Sequence, residues 1–116
     1  MDDLKRLHCV PPHRGGPPLS EAGAAGFMAQ VSDWEIIEVE GIKRLQREFK
    51  FKNFAEALSF TNRVGALAEE EDHHPALLTE WGVVTVTWWT HAVKGLHKND
   101  FIMAVKVDAL AGTEAK

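Results

Sequence analysis

The sequence predicts an α+β domain in which an antiparallel sheet carries three helices on one face. Two segments, 34–51 and 77–91, have strand-like patterns interrupted at Gly41 and Gly82, as hairpins require. Between them the apolar residues recur at helical spacing, and a further helical stretch stands at either end. The order helix, hairpin, helix, hairpin, helix does not divide into parallel βαβ units, so the helices should segregate to one side of an antiparallel sheet.

At 116 residues the chain has enough material for one core and too little for two. The expected organisation is an N-terminal arm over residues 1–18, one domain over 19–112 and a short tail over 113–116. The arm carries Pro11, Pro12, Pro17, Pro18 and the pair Gly15-Gly16, which exclude a regular helix interior or a central strand. Ser20 is a suitable N-cap for a first helix reaching about Val31, with Ala24, Phe27, Met28 and Val31 on one face, although Gly23 and Gly26 weaken it. In the first hairpin Leu45, Phe49 and Phe51 alternate with polar residues, and Arg47 interrupts the apolar side.

Asn53 followed by Glu56 reads as a capping box for the second helix, whose apolar positions are Phe54, Ala57, Leu58, Val64, Leu67 and Ala68. Pro75 forces its predecessor out of helical geometry and should stop this region. Leu77 to Trp81 and Val84 to His91 then form the second hairpin, with Thr85, Thr87, Trp89 and His91 on one side of the later strand. Asp100 stands near the start of a last helix reaching Leu110, apolar around most of its circumference and so expected to pack on two surfaces.

Composition narrows the function classes. The net charge of -4, without any dense Lys/Arg stripe, argues against direct nucleic-acid binding. Cys9 is the single cysteine, which excludes an internal disulfide and a multi-cysteine zinc knuckle, and fits a reducing compartment. With no apolar run long enough to span a bilayer and no basic-then-apolar leader, the expected location is the cytoplasm, with no membrane partner.

The segment Glu69-Glu70-Glu71-Asp72-His73-His74-Pro75 concentrates carboxylates and imidazoles at one helix end. Acidic groups there face the negative end of the helix dipole, at a cost of roughly 0.3 to 1 kcal/mol each at exposed sites. One account is that they orient the histidines and raise their basicity for proton transfer. The other is a solvated acidic helix end, the commoner meaning of a charge run. Because Pro75 holds His74 extended, the two imidazoles should diverge, which suits two contacts to a flat ligand better than one metal. No His-Glu-x-x-His motif is present, and no catalytic metal is expected. His91 is a candidate third member, although a lone strand histidine is more often structural. Asp100 could cap its helix or fix a histidine tautomer. His8, His13 and His97 receive no role. Trp34, Trp81, Trp88 and Trp89 read as core or interface residues, with Trp34 the one considered for a pocket wall.

The ordered set His73-His74-Pro75, Trp81, Thr90-His91 and Asp100, with Glu69 ahead of it, resembles the signature of the pterin-4a-carbinolamine dehydratases. Trp34-Glu35, Phe49 to Phe54 and Asn99 to Ile102 resemble the flanking text, so the likeness runs from Cys9 to Leu110. It implies a four-stranded antiparallel sheet with helices on one face, assembled as homodimers or homotetramers. It implies a 4a-hydroxytetrahydropterin substrate, left by aromatic amino acid hydroxylases, and a quinonoid dihydropterin product formed without metal or organic cofactor. By the same resemblance His73 and His91 are the acid/base pair, His74 binds the pterin and can share proton transfer, Asp100 orients His91, and Trp34 helps enclose the ring. Thr90 and Asp100 join the substrate-binding set. Two departures stand out: no second cysteine follows Cys9, and His97 replaces a Ser or Thr cap, which should loosen Asp100. A binding or scaffold role on the same fold is the alternative, because relatives include dimerisation cofactors and assembly factors. A metal-dependent hydrolase using the same histidines is the weakest reading.

Overall fold

The computed structural model describes residues 4–12 and 16–114. The remaining parts of the expected arm and tail lie outside the described residues. Helix α1 spans Glu21–Met28, and Ser20 Oγ accepts the Gly23 N–H at 3.0 Å, as an N-cap should. It ends before Val31. Gln30 and Val31 donate to carbonyls three residues back, at 3.0 Å each, so the chain tightens into 3-10 turns just after the two glycines that reduce helix propensity.

Strands β1 (Glu35–Val39) and β2 (Ile42–Lys50) pair antiparallel from Glu35 opposite Gln46 to Val39 opposite Ile42. The two residues between them, Glu40 and Gly41, both have positive φ, +54° and +78°, which is what a two-residue type I′ turn requires. Leu45, Arg47 and Phe49 point toward the helices. Arg47 fits there because its guanidinium lies over the Phe49 ring at 4.4 Å and its Nη1 reaches Asp108 at 2.7 Å.

Helix α2 runs Phe54–Glu71, opened by Asn53 Oδ1, which accepts the Glu56 N–H at 2.8 Å. Its buried stripe is Ala57, Phe60, Val64 and Ala68, whereas Phe54 and Leu58, expected on that face, remain 44% and 43% exposed. The helix stops before Pro75 can act on it. Asp72 turns left-handed (φ +53°) and its N–H reaches the Ala68 and Glu69 carbonyls, while His73 N–H returns to the Ala68 carbonyl at 3.1 Å.

Strands β3 (Ala76–Glu80) and β4 (Val83–Trp88) complete one antiparallel sheet in the order β1-β2-β4-β3. β4 ends at Trp88, so the expected strand through His91 is three residues too long. Thr90 and Gly95 exchange backbone hydrogen bonds at 2.8 and 3.4 Å, closing a loop in which His91–Val93 form a 3-10 turn. Strand alternation therefore does not aim His91. Helix α3 spans Lys98–Glu114, beyond Leu110 and into the expected tail. It packs on α2, on β2 and β4, and on the turn Leu4–Arg6, which explains its nearly all-round apolar character.

Candidate active site

The left-handed turn at Asp72 decides where the two adjacent histidines go. His73 turns inward, 9% exposed, and its ring lies parallel to Trp88, centroids 5.6 Å apart and 7° between planes. His74 turns outward and meets Glu69, one helical turn back on α2. The expected divergence of the imidazoles is therefore present.

Asp100 is the centre of the buried polar network, with no exposed surface. Its Oδ1 lies 2.6 Å from His73 Nε2, and its Oδ2 accepts the Thr90 hydroxyl and the His97 N–H, both at 2.9 Å. A carboxylate supplies acceptors only, so His73 carries a proton on Nε2 and leaves Nδ1 as the nitrogen available for chemistry. This corrects the expectation that Asp100 orients His91: β4 ends too early to bring His91 to it, while the α2 cap brings His73. It also corrects the expectation of a loosened Asp100. His97 Nδ1 accepts the Asn99 N–H at 3.0 Å, and the Asp100 carboxylate reaches back to the His97 N–H. Together they form a capping box with histidine at the cap position. Burial, outweighing the attraction of Asp100 and reinforced by His73, holds the His97 imidazole below its usual pKa, which favours the neutral ring able to accept at Nδ1.

A cavity of about 240 Å³ is lined by Pro12, Asp72, His73, His74, Trp89, Thr90, His91 and Ala92. All three candidate histidines thus border one space. His91 is exposed, with its ring 5.1 Å from that of Trp89. Thr90 lines the cavity with its hydroxyl donated to Asp100, whereas Asp100, expected with it among the substrate-binding residues, lies behind His73 and outside the cavity lining.

Trp34 is a correction. Its ring is 3% exposed, sits edge-on to Phe49 at 5.9 Å and donates Nε1–H to Asp108 at 2.8 Å, so it belongs to the core between sheet and α3 and does not line this cavity. The aromatic wall is Trp89, with the Arg44 guanidinium 4.0 Å from its ring centroid. Its position two residues before His91 was the available signal. The acidic run divides by role: Glu69 meets His74, Glu71 binds the N-terminal segment, Asp72 turns the chain and Glu70 is solvated. Among the described residues, no group of three or more His, Cys, Asp or Glu side chains is placed to share a metal ion.

The protein is thus a four-stranded antiparallel sheet backed by three helices, with a carboxylate-held histidine and two more histidines around a small cavity. The sequence pattern of the family described as Pterin 4 alpha carbinolamine dehydratase matches residues 17–110. The chain belongs to that family. It is 60% identical over 110 residues to a protein of Nitrosococcus oceani, covering 95% of this chain and 97% of the relative, and 56% identical to one of Syntrophotalea carbinolica, covering 95% and 98%. Both are named, provisionally, pterin-4-alpha-carbinolamine dehydratase. Among solved structures it resembles a transcriptional coactivator/pterin dehydratase from Brucella melitensis, with TM-score 0.73 and 34% identity over 82% of this chain and 99% of that one. It also resembles a pterin dehydratase-like protein identified as a RuBisCO assembly factor, with TM-score 0.59 and 26% identity over 69% and 90%.

Proposed function

We propose that this protein dehydrates a 4a-hydroxytetrahydropterin to the quinonoid dihydropterin by histidine acid/base catalysis. The observation that carries the reading is His73, fixed by a fully buried Asp100 at the edge of a cavity that His74 and His91 also line. In the reaction the N5 lone pair forms the C4a–N5 double bond as the C4a–O bond breaks. The hydroxyl departs as water after receiving a proton, and the N5 proton is then lost. One group must donate and another accept. His73, restrained at Nε2, supplies one of these roles through Nδ1, and the exposed His91 supplies the other. His74, braced by Glu69, holds the pterin, and Trp89 offers a flat face to its ring. Positioned acids and bases contribute roughly 10² to 10⁴-fold, which suffices for a carbinolamine whose own nitrogen already expels the hydroxyl.

The substrate would come from an aromatic amino acid hydroxylase, giving a place in tetrahydrobiopterin recycling in the cytoplasm. No helix among the described residues is long and apolar enough to cross a membrane. Assembly as a homodimer or homotetramer is supported by Leu78 on edge strand β3 and the adjoining Trp81, 56% and 72% exposed, and by Phe54 and Leu58 on the outer side of α2. A second reading, a binding or scaffold role, draws on the two solved relatives, one a transcriptional coactivator/pterin dehydratase and the other a pterin dehydratase-like RuBisCO assembly factor.

The deciding experiment follows carbinolamine breakdown with the native protein and with His73→Ala, His74→Ala and His91→Ala. The expected result is acceleration over buffer that falls with His73→Ala and His91→Ala and weakens mainly in KM with His74→Ala. A native protein no faster than buffer overturns the dehydratase reading. A partner captured equally by the native chain and by the triple histidine variant would establish the scaffold reading as an independent activity.

A further inference from the structure

Residues 8–12 cross the place where α2 ends and α3 begins, and two side chains grip them there. Glu71, whose side chain is 5% exposed, accepts the Cys9 N–H at Oε1 (2.9 Å) and lies 2.7 Å from His8 Nδ1 at Oε2. Asn99, 1% exposed, accepts the Val10 N–H at Oδ1 (3.0 Å) and donates Nδ2–H to the Val10 carbonyl (2.7 Å). Both backbone groups of one residue are thus held by one amide, as a neighbouring strand would hold them. Pro11 and Pro12 follow at once, each with φ fixed by its ring, so little slack separates the clamped Val10 from Pro12 in the cavity lining.

We propose that residues 8–12 are a strap forming one wall of the histidine cavity, with Glu71 and Asn99 as positioning residues that hold it closed over a bound pterin. The proposal rests on the dehydratase reading of that cavity. Its force lies in where the clamps sit: Glu71 is two residues before His73, and Asn99 is the neighbour of Asp100. The two helix ends that fix the His73–Asp100 pair therefore also fix the strap, and the wall keeps register with the catalytic imidazole. Cys9 takes part through its backbone N–H on Glu71 and a long thiol contact to Asn99. Burial, followed by the nearby charges of Glu71 and Asp100, pushes its thiol up to about 12, so it stays a neutral thiol, 3.9 Å from the Asn99 carbonyl.

The test compares the native protein with Asn99→Ala, Glu71→Ala and Glu71→Gln. Amide hydrogen exchange at Cys9 and Val10 reports the strap, and the kinetics of carbinolamine breakdown report its consequence. Asn99→Ala and Glu71→Ala should lose protection at those amides and raise KM about tenfold, with kcat within about threefold, because a wall has been lost and the proton-transfer groups have not. Glu71→Gln keeps an acceptor for Cys9 and should stay near native. Lost protection with unchanged KM, or retained protection in both alanine variants, overturns the proposal. So does a collapse of kcat in Glu71→Ala, a variant that leaves the start of α3 intact. Should the native protein give no acceleration, the dehydratase reading falls, and the strap is judged by diethyl pyrocarbonate modification of His73. That reaction should run several-fold faster in both alanine variants, and an unchanged rate refutes the strap.

Discussion

Replacing Asp100 with Asn changes one atom and should reverse the tautomer of His73. In the native site Oδ2 receives two donors, the His97 N–H and the Thr90 hydroxyl, while Oδ1 faces His73 Nε2. A backbone N–H can only donate, so the amide oxygen of Asn must take the Oδ2 position and its NH₂ must face His73. Nε2 then becomes an acceptor and the imidazole proton moves to Nδ1, the nitrogen otherwise free for chemistry. Every buried partner remains satisfied, so stability should fall by only about 1 to 2 kcal/mol, the difference between charge-assisted and neutral hydrogen bonds. Activity should suffer far more: kcat should drop by roughly 10² to 10⁴, the range for loss of a correctly protonated acid or base. Asp100→Leu is the contrasting change. It strands the His97 N–H, the Thr90 hydroxyl and the His73 imidazole in the interior at about 1 to 3 kcal/mol each, so roughly 3 to 9 kcal/mol of stability should be lost. Denaturant unfolding and stopped-flow kinetics measure the two effects, and ¹⁵N chemical shifts of the His73 ring report the tautomer directly. Asp100→Asn with kcat within threefold of native and the proton still on Nε2 would refute the reasoning.

Other outcomes follow from the same contacts. Trp34→Phe removes the Nε1–H bond to Asp108 while keeping most of the buried ring, so unfolding should show a loss of about 1 kcal/mol with KM unchanged; a raised KM would return Trp34 to the cavity wall. Burial holds Asp108 above the usual carboxylate range despite the Trp34 and Arg47 hydrogen bonds that lower it, so Arg47→Leu should raise it further, readable in the ¹³C titration of the Asp108 carboxyl. Glu71 shifts the other way: burial raises it, but the Cys9 N–H, the His8 contact and Lys106 together outweigh burial and leave it lowered. A lowered folded value stabilises the protein above the unfolded value, about 4.3, and that stability is lost as pH falls through the folded one; Tm should therefore decline less between pH ~6 and pH ~3 in Glu71→Gln than in the native chain. Gly65, inside α2 with open space where a Cβ would stand, should accept Ala with a gain of about 0.5 to 1 kcal/mol, seen as a higher Tm with unchanged kinetics.

What could be read from sequence and what could not divide along a physical line. Periods and caps are local, so the hairpins, the Ser20 and Asn53 caps and the central helix were legible. Helix and strand ends were less so. The end of α2 depends on Asp72 entering the left-handed region, and the end of β4 on Thr90 bonding to Gly95 across a loop, and neither choice leaves a periodic trace. Those two ends set the site. Had β4 continued to His91, strand alternation would have aimed that side chain, and Asp100 would have been free to serve it; because the strand stops and the α2 cap turns inward, Asp100 serves His73 instead. The same limit explains Trp34 and Trp89. Both are aromatic residues beside strands, and only the Asp108 acceptor on α3 draws Trp34 into the core, while Trp89 remains at the cavity with Arg44 on its ring. The acidic run was ambiguous for a related reason. Its members answer to partners 5 to 63 positions away in sequence, with Glu69 meeting His74 and Glu71 meeting His8, so no reading of the run alone could separate brace, clamp and solvated face. Which carboxylate serves which imidazole is decided by where the chain turns.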